Sequence, residues 1–499
     1  QILIDSRPVF SALSGVYGLE QIPASMIERV EVMRGGGSAL FGSSAIAGTI
    51  NIITKEPLRN SGQLSHTITS LGGSSSFDNN TSLNASLVTD DHRAGLYIFG
   101  QNRYRSGYDY DGDGFTELPK LKNQTVGFRS YLKTSTYSKL TFEYHHMQEF
   151  RRGGDMLNRP PHEAHIAEQL QHSIDGGSLK FDYFSPDEKN RLSVFASAAN
   201  TDRDSYYGPG NDPLKAYGKT TDLTAMGGAQ YVHTFDKCFF MPSDLTAGLE
   251  YNRDRLKDNM WGYNRHTDQT VNIYSAFLQN EWKNDRWGIL IGGRLDKHNM
   301  VDNVIFSPRA NLRFNPTQNI NLRLSYSSGF RAPQAFDEDM HIENVGGTVA
   351  MIERAKDLKE EKSQSFSVSA DMYHRFGAFQ TNLLIEGFYT RLTDVFVLGK
   401  PYDRGDGILV KTRSNGPGAK VMGLTLEGKV AYLSILQIQA GLTLQRSRYD
   451  EPHKWHDDAP AEKKIFRTPD TYGYFTATCT PIKPLSIALS GTYTGRMLV

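Results

Sequence analysis

Four carboxylates recur at short intervals in one segment of the chain: Asp109, Asp111, Asp113 and Glu117. The three aspartates stand at alternate positions, where their oxygens can converge on one hard cation, and Gly114 permits the sharp turn that this needs. The spacing differs from that of an EF-hand, which would place its closing glutamate at what is here Lys120. The segment therefore predicts a calcium site, and the alternative interpretation is a solvated acidic loop.

A glycine-rich turn near the start of the chain is a second candidate for chemistry. The run Ile27–Arg34 alternates apolar and charged residues, Gly35–Gly37 permit a tight reversal, and a second apolar run reaches Thr54. Successive glycines can also cradle a phosphate. Because no Lys-Ser or Lys-Thr pair follows them and the dinucleotide spacing is absent, we do not predict nucleotide binding.

Composition limits the function classes. The chain has 499 residues with 55 Lys+Arg and 55 Asp+Glu, so its charge balance gives no basic surface for nucleic acid. Two cysteines, Cys238 and Cys479, exclude a disulfide scaffold and a cysteine zinc site. A mean hydropathy of −0.48 and the lack of an apolar run near about eighteen residues exclude membrane-spanning helices. A membrane barrel stays possible, because its strands alternate lipid-facing and lumen-facing side chains.

That alternation recurs along the chain. Ile320–Ser327 and Leu485–Tyr493 place apolar residues at every second position and polar residues between them. An arginine such as Arg323 in a dry core would be very costly, so we expect the inner face of these strands to be wet. A soluble sandwich is the alternative, with its polar faces outside.

The connections between the predicted strands alternate between short and long. From Gly62 to Gly491 we count about nineteen strands, joined on one side by short turns and on the other mostly by long loops, a parity typical of outer-membrane barrels. Gln1 begins inside a strand-like run without a signal peptide, and Val499 follows the last strand. Since bacterial barrels close on an even strand number, we expect an upstream segment and about three further strands outside this sequence.

The first part of the chain, IDSRPVFSALSGVYGLEQIPASMIERVEVMRG and the glycine turn, resembles the plug domain of TonB-dependent outer-membrane receptors. The resemblance implies a mainly-β fold: a transmembrane antiparallel β-barrel, with about 19 of the family's 22 strands present, and the C-terminal half of an α+β plug domain. It divides the chain into a plug at residues 1–57 and a barrel at 58–499.

The resemblance also implies roles for plug residues. The loop Val9–Leu19 corresponds to the family's plug apex, which touches ligand, so Phe10 and Tyr17 are predicted ligand-binding residues; alternatively they only pack the loop. Three charged residues resemble those that hold the family's plug against the barrel: Glu28, Arg29 and Arg34.

A second resemblance lies in the longest predicted outer loop, where Phe330-Arg331-Ala-Pro333 is similar to the FRAP box of haem receptors in this family, with His341 following. This predicts a ligand-binding loop, because haem iron takes an axial His or Tyr. The chain departs from that pattern in having no NPNL-like box and no histidine between residues 1 and 57. Haem, cobalamin and ferric siderophores therefore all stay open as cargo.

The implied function is import, not catalysis. A receptor of this family in the outer membrane of a Gram-negative bacterium would bind a scarce metal chelate and import it with energy from the TonB-ExbB-ExbD complex. The other expected partners are outer-membrane lipids and, as an option, a surface lipoprotein. No cofactor is expected to be required: calcium is an optional structural ion, and haem or cobalamin would be the transported ligand. The alternatives are a passive porin or a surface-binding barrel, neither of which needs a plug. We find no enzyme motif.

Overall fold

The computed structural model describes residues 2–6, 22–34, 37–43, 45–46, 48–209, 216–345, 348–454 and 460–498. They form a small sheet that ends at Thr54 and a large barrel that begins at Ser61. The predicted division at 57/58 lies in the connection between them. In the described part of the chain, helices are all too short to cross a membrane.

The small sheet, called the plug below, has three strands in the order β1-β3-β2. They are β1 (Ile2–Ile4), β2 (Ile27–Arg34) and β3 (Gly48–Thr54), with helix α1 (Ser38–Phe41) between β2 and β3. β1 runs parallel to β3, and β2 runs antiparallel to it. At Gly37 a Cβ atom would lie 2.5 Å from the Met33 Cε atom and 2.8 Å from the Thr49 hydroxyl, so a larger residue would have to displace both side chains.

The core of the plug is completed by the barrel. Its buried apolar residues are Ile4, Ile22, Met26 and Ile52, joined by Tyr97 and Phe99 of the wall. A 3-10 turn, Ala24–Met26, delivers Met26 to this cluster. The plug therefore depends on the wall for part of its apolar burial.

The barrel wall consists of long antiparallel strands. They are β4 (Ser61–Ser70), β5 (Phe77–Val88), β6 (Ala94–Arg105), β7 (Lys120–Ser135), β8 (Ser138–Gly154), β9 (Ile166–Phe184), β10 (Asn190–Pro209), β11 (Tyr217–Cys238), β12 (Met241–Met260), β13 (Arg265–Lys283), β14 (Trp287–His298), β15 (Ile305–Thr317), β16 (Ile320–Arg331), β19 (Glu361–Phe376), β20 (Phe379–Thr393), β24 (Ala419–Tyr432), β25 (Leu436–His453), β26 (Glu462–Lys464), β27 (Thr471–Ile482) and β28 (Leu485–Thr494).

A smaller sheet is built from the loops on one side of the barrel. Its strands are β17 (Glu343–Val345), β18 (Thr348–Arg354), β21 (Phe396–Leu398), β22 (Tyr402–Asp403) and β23 (Ile408–Asn415). The short helix α2 (Asp337–Met340) precedes β17. Two further 3-10 turns, Pro161–Glu163 and Trp261–Tyr263, lie in loops on the same side.

The predicted antiparallel barrel with a plug is confirmed. Consecutive wall strands pair in register from β4 to β28, and the strand order closes on itself. The junction of β28 with β4 is the most open part of the wall: every residue of β4 is exposed, and so is nearly every residue of β28. The alternation is also confirmed, since outward Leu324 and Val368 are exposed while inward Thr425 and Thr443 are buried.

The strands reach further than expected on the side of the long loops. β11 has 22 residues, whereas about 9–11 residues suffice to cross the hydrocarbon of a bilayer. The predicted loops Asp204–Gly218 and Lys257–Val271 are accordingly shorter in the structure, because β10 to β13 stay paired through much of both segments. The wall strands are therefore longer than a membrane crossing requires, and the long loops begin from a rim of paired strands.

Ionic contacts fasten the plug to the wall around Arg129 of β7. Its guanidinium lies 2.7 Å from Asp5 and 3.1 Å from Glu56, both outside the wall, and 3.0 Å from Glu143 of β8. It also contacts the Thr54 hydroxyl. Since its side chain is only 13% exposed, Arg129 is a nearly buried cation held by three carboxylates.

Glu28, Arg29 and Arg34, the plug residues predicted to contact the barrel wall, have different surroundings. Arg29 is exposed and forms its ion pair with Glu31 of its own strand, at 2.8 Å. Glu28 is exposed, and the side chain of Arg34 lies outside the described part of the structure. The described ionic contacts to the wall come instead from Asp5 and Glu56, so the roles of Glu28, Arg29 and Arg34 stay predictions.

Replacing Arg129 by Ala should lower the apparent Tm of the receptor clearly, because it leaves Asp5 and Glu143 without their shared cation, while Glu56 keeps Lys139 at 3.0 Å; removing one partner of a buried ion pair costs about 3 kcal/mol. Arg29→Ala is the matched control and should cost less than about 1 kcal/mol, as exposed pairs do. Thermal unfolding of both variants in detergent checks this. If Arg29→Ala lowers the Tm more than Arg129→Ala does, β2 holds the plug against the wall and Arg129 does not.

Candidate functional site

The outer loops are tied into one unit by the small loop sheet. β18 pairs in parallel with β23, from Val349–Ile408 to Arg354–Arg413, which joins the loop after β16 to the loop after β20. Beneath it lies a buried cluster: Leu170, Tyr207, Met260, Tyr263, Ile342, Met351 and Ile408. The Tyr263 hydroxyl donates to the Tyr207 carbonyl at 2.7 Å. Segments from five parts of the chain thus share one apolar base.

A cavity of about 440 Å³ opens beside this cluster. Its lining comes from the segment before β7, the end of β8, the start of β9, the end of β10 and the segment around β17. The polar side chains that can meet a ligand are Glu117, Arg151, Glu168, Tyr207, His341 and Glu343. Three carboxylates face one arginine and one histidine, so the lining carries a net negative charge when the histidine is neutral.

His341, predicted as a ligand-binding residue, lines this cavity. Its Nε2 atom lies 3.6 Å from a carboxylate oxygen of Glu168, and its ring meets that of Tyr207 edge-on with centroids 5.2 Å apart. The imidazole is 41% exposed. A ring that is oriented by two neighbours and still open can contact a bound molecule.

The FRAP-type segment itself is a structural contact between plug, wall and loops. Phe330 is 1% exposed, and its N–H donates to the Ser38 hydroxyl of the plug at 3.1 Å. The Arg331 guanidinium lies 3.9 Å from the ring centroid of Phe336, and the Pro333 carbonyl accepts from Arg354 at 3.0 Å. None of the three FRAP residues lines the cavity, so a direct ligand role for them stays a prediction.

A buried charge cluster holds the segment that carries His341. Arg413 of β23 lies 3.1 Å from Asp339 and 3.2 Å from Glu338, both in α2. Arg265 donates to the Met340 carbonyl at 2.8 Å. Burial raises the pKa of Asp339, and the attraction of Arg413 lowers it in part. This cluster fixes the helix immediately before His341.

The four acidic residues of the predicted calcium loop do converge. One oxygen from each of Asp109, Asp111, Asp113 and Glu117 lies within 4.8 Å of the others. Gly112 and Gly114 have positive φ angles, and both donate N–H to the Asp109 carboxylate, at 2.7 and 2.9 Å. Glu117 also lines the outer cavity, so the acidic loop and His341 belong to one region.

Two predicted site residues cannot be placed. Phe10 and Tyr17 lie outside the described residues, as does the whole predicted apex loop Val9–Leu19. Conversely, Arg151, Glu168 and Tyr207 line the cavity but were not predicted as site residues. Their segments could be recognised as outer loops, but no local signal indicates that these loops converge.

The geometry defines a class of protein: a barrel receptor whose lumen holds a separate plug and whose outer loops enclose a cavity. A passive porin has no need for the plug. Such a receptor separates capture at the outer face from passage through the lumen.

The family models agree with this class. The model "TonB dependent receptor-like, beta-barrel" matches residues 47–496, and the model "TonB-dependent Receptor Plug Domain" matches residues 1–49. The chain therefore belongs to the TonB-dependent receptor family, whose members are transporters and receptors, not enzymes. The barrel relatives below are outer-membrane proteins.

Among curated proteins, the chain is similar to two vitamin B12 transporters named BtuB. It is 23% identical to that of Vibrio vulnificus over 352 residues (67% of this chain, 52% of the relative), and 25% identical to that of Photobacterium profundum over 388 residues (75% and 56%). The chain thus spans about half the length of these relatives.

Solved siderophore receptors share the fold. The receptor PirA of Acinetobacter baumannii superposes with a TM-score of 0.80 at 17% identity, covering 99% of this chain and 78% of that one. A mutant of the ferric enterobactin receptor PfeA of Pseudomonas aeruginosa gives 0.80 at 18%, with the same coverage. At these identities the likeness shows architecture, not cargo.

The charge cluster predicts that, in an Arg413→Gln variant, opening of the loop that contains α2 and His341 depends on pH. Without Arg413, the raised pKa of the Asp339 carboxyl rises further. Asp339 is then protonated while its segment is packed in place, and it loses that proton when the segment opens to solvent. Opening should increase as pH rises through this pKa and reverse at lower pH. Trypsin cleavage at Lys356 and Lys359, which are exposed, should accelerate about tenfold at neutral pH.

The double variant Asp339→Asn/Arg413→Gln supplies the control, because it lacks the Asp339 carboxylate while the buried Glu361, whose pKa burial also raises, is present in both variants. Its cleavage rate should depend on pH clearly less than that of Arg413→Gln. If Arg413→Gln alone shows the wild-type rate at every pH, the cluster does not hold the loop.

Proposed function

We propose that this chain is the main part of an energised importer that captures a scarce metal chelate at the outer face and passes it to the periplasm. The observation that carries the proposal is the plug within a barrel whose outer loops form a cavity of about 440 Å³. A cavity of this size takes part of a large chelate, with the rest meeting the plug apex. We infer a Gram-negative host, because large single-chain barrels of this kind belong to the bacterial outer membrane.

The charge of the cavity favours a chelate of low net charge. Glu117, Glu168 and Glu343 outnumber Arg151, and Glu343 forms an ion pair of 2.6 Å with Lys411. A strongly anionic ferric tris-catecholate would meet repulsion there. We place cobalamin first, supported by the two BtuB relatives. Haem comes second, supported by the open imidazole of His341 in the cavity, and ferric siderophores third.

Energy coupling follows from the kinetics of capture. A scarce ligand must be held tightly, and tight binding means slow release unless work is supplied from elsewhere. The TonB-ExbB-ExbD complex of the inner membrane is the proposed source of that work. A surface lipoprotein that assists capture is compatible with the exposed loop sheet.

The ligand order can be tested by titrating the complete receptor in detergent with cyanocobalamin and, separately, with haemin. We expect saturable cobalamin binding, and Glu168→Gln should change its affinity less than about fivefold because it removes one rim charge. A Soret shift with haemin that His341→Ala abolishes would make haem the cargo. Binding of neither, with tight binding of a ferric siderophore, would contradict the charge argument.

We further propose that the acidic loop binds calcium. Ca²⁺ takes six to eight oxygens at about 2.4 Å, so two ligand oxygens on opposite sides are separated by about 4.8 Å. The four carboxylates place their oxygens within that span of one another, and backbone carbonyls or water would supply the remaining ligands. When bound, the ion would neutralise the acidic loop at the edge of the cavity.

Calcium titration by calorimetry tests this site. Asp111→Asn/Asp113→Asn should lower the affinity for Ca²⁺ by at least about tenfold, because affinity follows the number of charged ligands. Asp302→Asn, in another outer loop, is the matched control and should bind as the wild type does. Equal calcium binding by all three proteins would show that the loop is only a solvated acidic segment.

A further inference from the structure

Four cations form a row on the outward face of the wall, at the end of the strands that bears the long loops. Arg391 lies opposite Lys420, Lys420 opposite Arg448, and Arg448 opposite Lys464, on four successive strands from β20 to β26. Like charges directly opposite in a sheet destabilise it. A row of this kind therefore needs anions beside it.

Within the described residues, two carboxylates lie beside the row. Asp450 lies 2.5 Å from Arg391 and 3.4 Å from Lys420, and Asp470 lies 3.2 Å from Arg448 and 3.6 Å from Lys464. In this part of the chain, two carboxylates thus serve four cations. Arg446, exposed on the same face of β25 two residues nearer the membrane, adds a further positive charge.

An apolar groove of about 1240 Å³ lies directly below the row and includes Lys420, Arg446 and Arg448 in its lining. Its apolar walls are Leu324, Phe366, Val368, Tyr389, Met422, Leu424 and Leu444. Phe366 stacks near Tyr326 with centroids 4.8 Å apart, as aromatic residues do at the membrane interface. Gly387, between Val368 and Leu424 in register, leaves the floor of the groove without a side chain.

We propose that this groove binds a phosphate-bearing lipid of the outer leaflet, with an acyl chain against the apolar walls and the headgroup phosphate on Lys420, Arg446 and Arg448. The proposal rests on the outer-membrane location given under Proposed function. Cations above and apolar surface below, on one outward face, match an amphipathic anion anchored in the bilayer. A free anion would use the cations and leave the groove unused.

Binding of diphosphoryl lipid A to the delipidated full-length receptor, followed by native mass spectrometry in nonionic detergent, tests the proposal. Lys420→Gln/Arg446→Gln/Arg448→Gln should weaken binding about hundredfold, since each cation near an anionic lipid surface contributes roughly fivefold. Lys122→Gln/Lys257→Gln, cations at outward positions elsewhere on the wall, is the matched control and should bind as the wild type does.

A second variant tests the groove without changing charge. A Cβ atom at Gly387 would have one neighbour within 4 Å, the Val368 Cγ1 atom at 3.6 Å, so Gly387→Leu fills the floor without a clash. We expect it to weaken lipid A binding at least about fivefold. Migration of the unheated proteins on a denaturing gel verifies that each variant barrel is folded.

Three results would overturn the proposal: wild-type affinity in the triple variant, wild-type affinity in Gly387→Leu, or displacement of lipid A by inorganic phosphate at equal concentration. The last would assign the row to a free anion. Because the readout is lipid binding, a failure here is distinguishable from a failure to bind cobalamin or haem.

Discussion

The obligation to pair every backbone N–H and C=O group within hydrocarbon governs this structure. In a bilayer an unpaired group costs several kcal/mol, so a spanning β-structure must be a sheet whose strand order closes. One face of that sheet then meets lipid and the other meets the lumen. Outward Leu324 and Leu444 are accordingly exposed, and inward Thr443 and Ser447 are buried. A barrel of about twenty strands encloses a lumen too wide for its own side chains to fill, and here a plug occupies that space.

The plug lies in a polar lumen, and its interface with the wall reflects this. In the described part of the chain, a small apolar cluster with Tyr97 and Phe99 joins the two, while Arg129 brings together carboxylates from both sides. The Ser363 hydroxyl donates to the Ile46 carbonyl at 2.8 Å. Water can replace polar contacts of this kind far more readily than it can replace an apolar core. Such an interface suits the plug movement that the proposed energy coupling requires.

The strands could be predicted from sequence where the membrane imposes alternation. Ile320–Ser327 and Leu485–Tyr493 fall within β16 and β28, and the short turns and long loops alternate as expected. The predicted loops between β10 and β11 and between β12 and β13 were too long, because these strands stay paired beyond the span of a membrane. No lipid imposes an alternating apolar face on that part of the strands, so the sequence does not show it. The parallel pairing of β18 with β23 was missed because its partners lie about sixty residues apart and neither strand alternates strongly.

Sequence could name Glu117 and His341 as site residues but could not predict, for the same reason, that they share one cavity, and this explains how the site is built. Glu117 and His341 reach one cavity only because five segments pack on a common cluster that includes Leu170 and Met351. Loops that must be ordered on binding subtract that cost from affinity. Here the segment before His341 is fixed in advance by Arg413 and Asp339, both buried. The acidic loop has no such anchor among its own contacts, which are mostly internal and exposed. A cation there would lower the remaining ordering cost on the one side of the cavity that the protein leaves to be ordered.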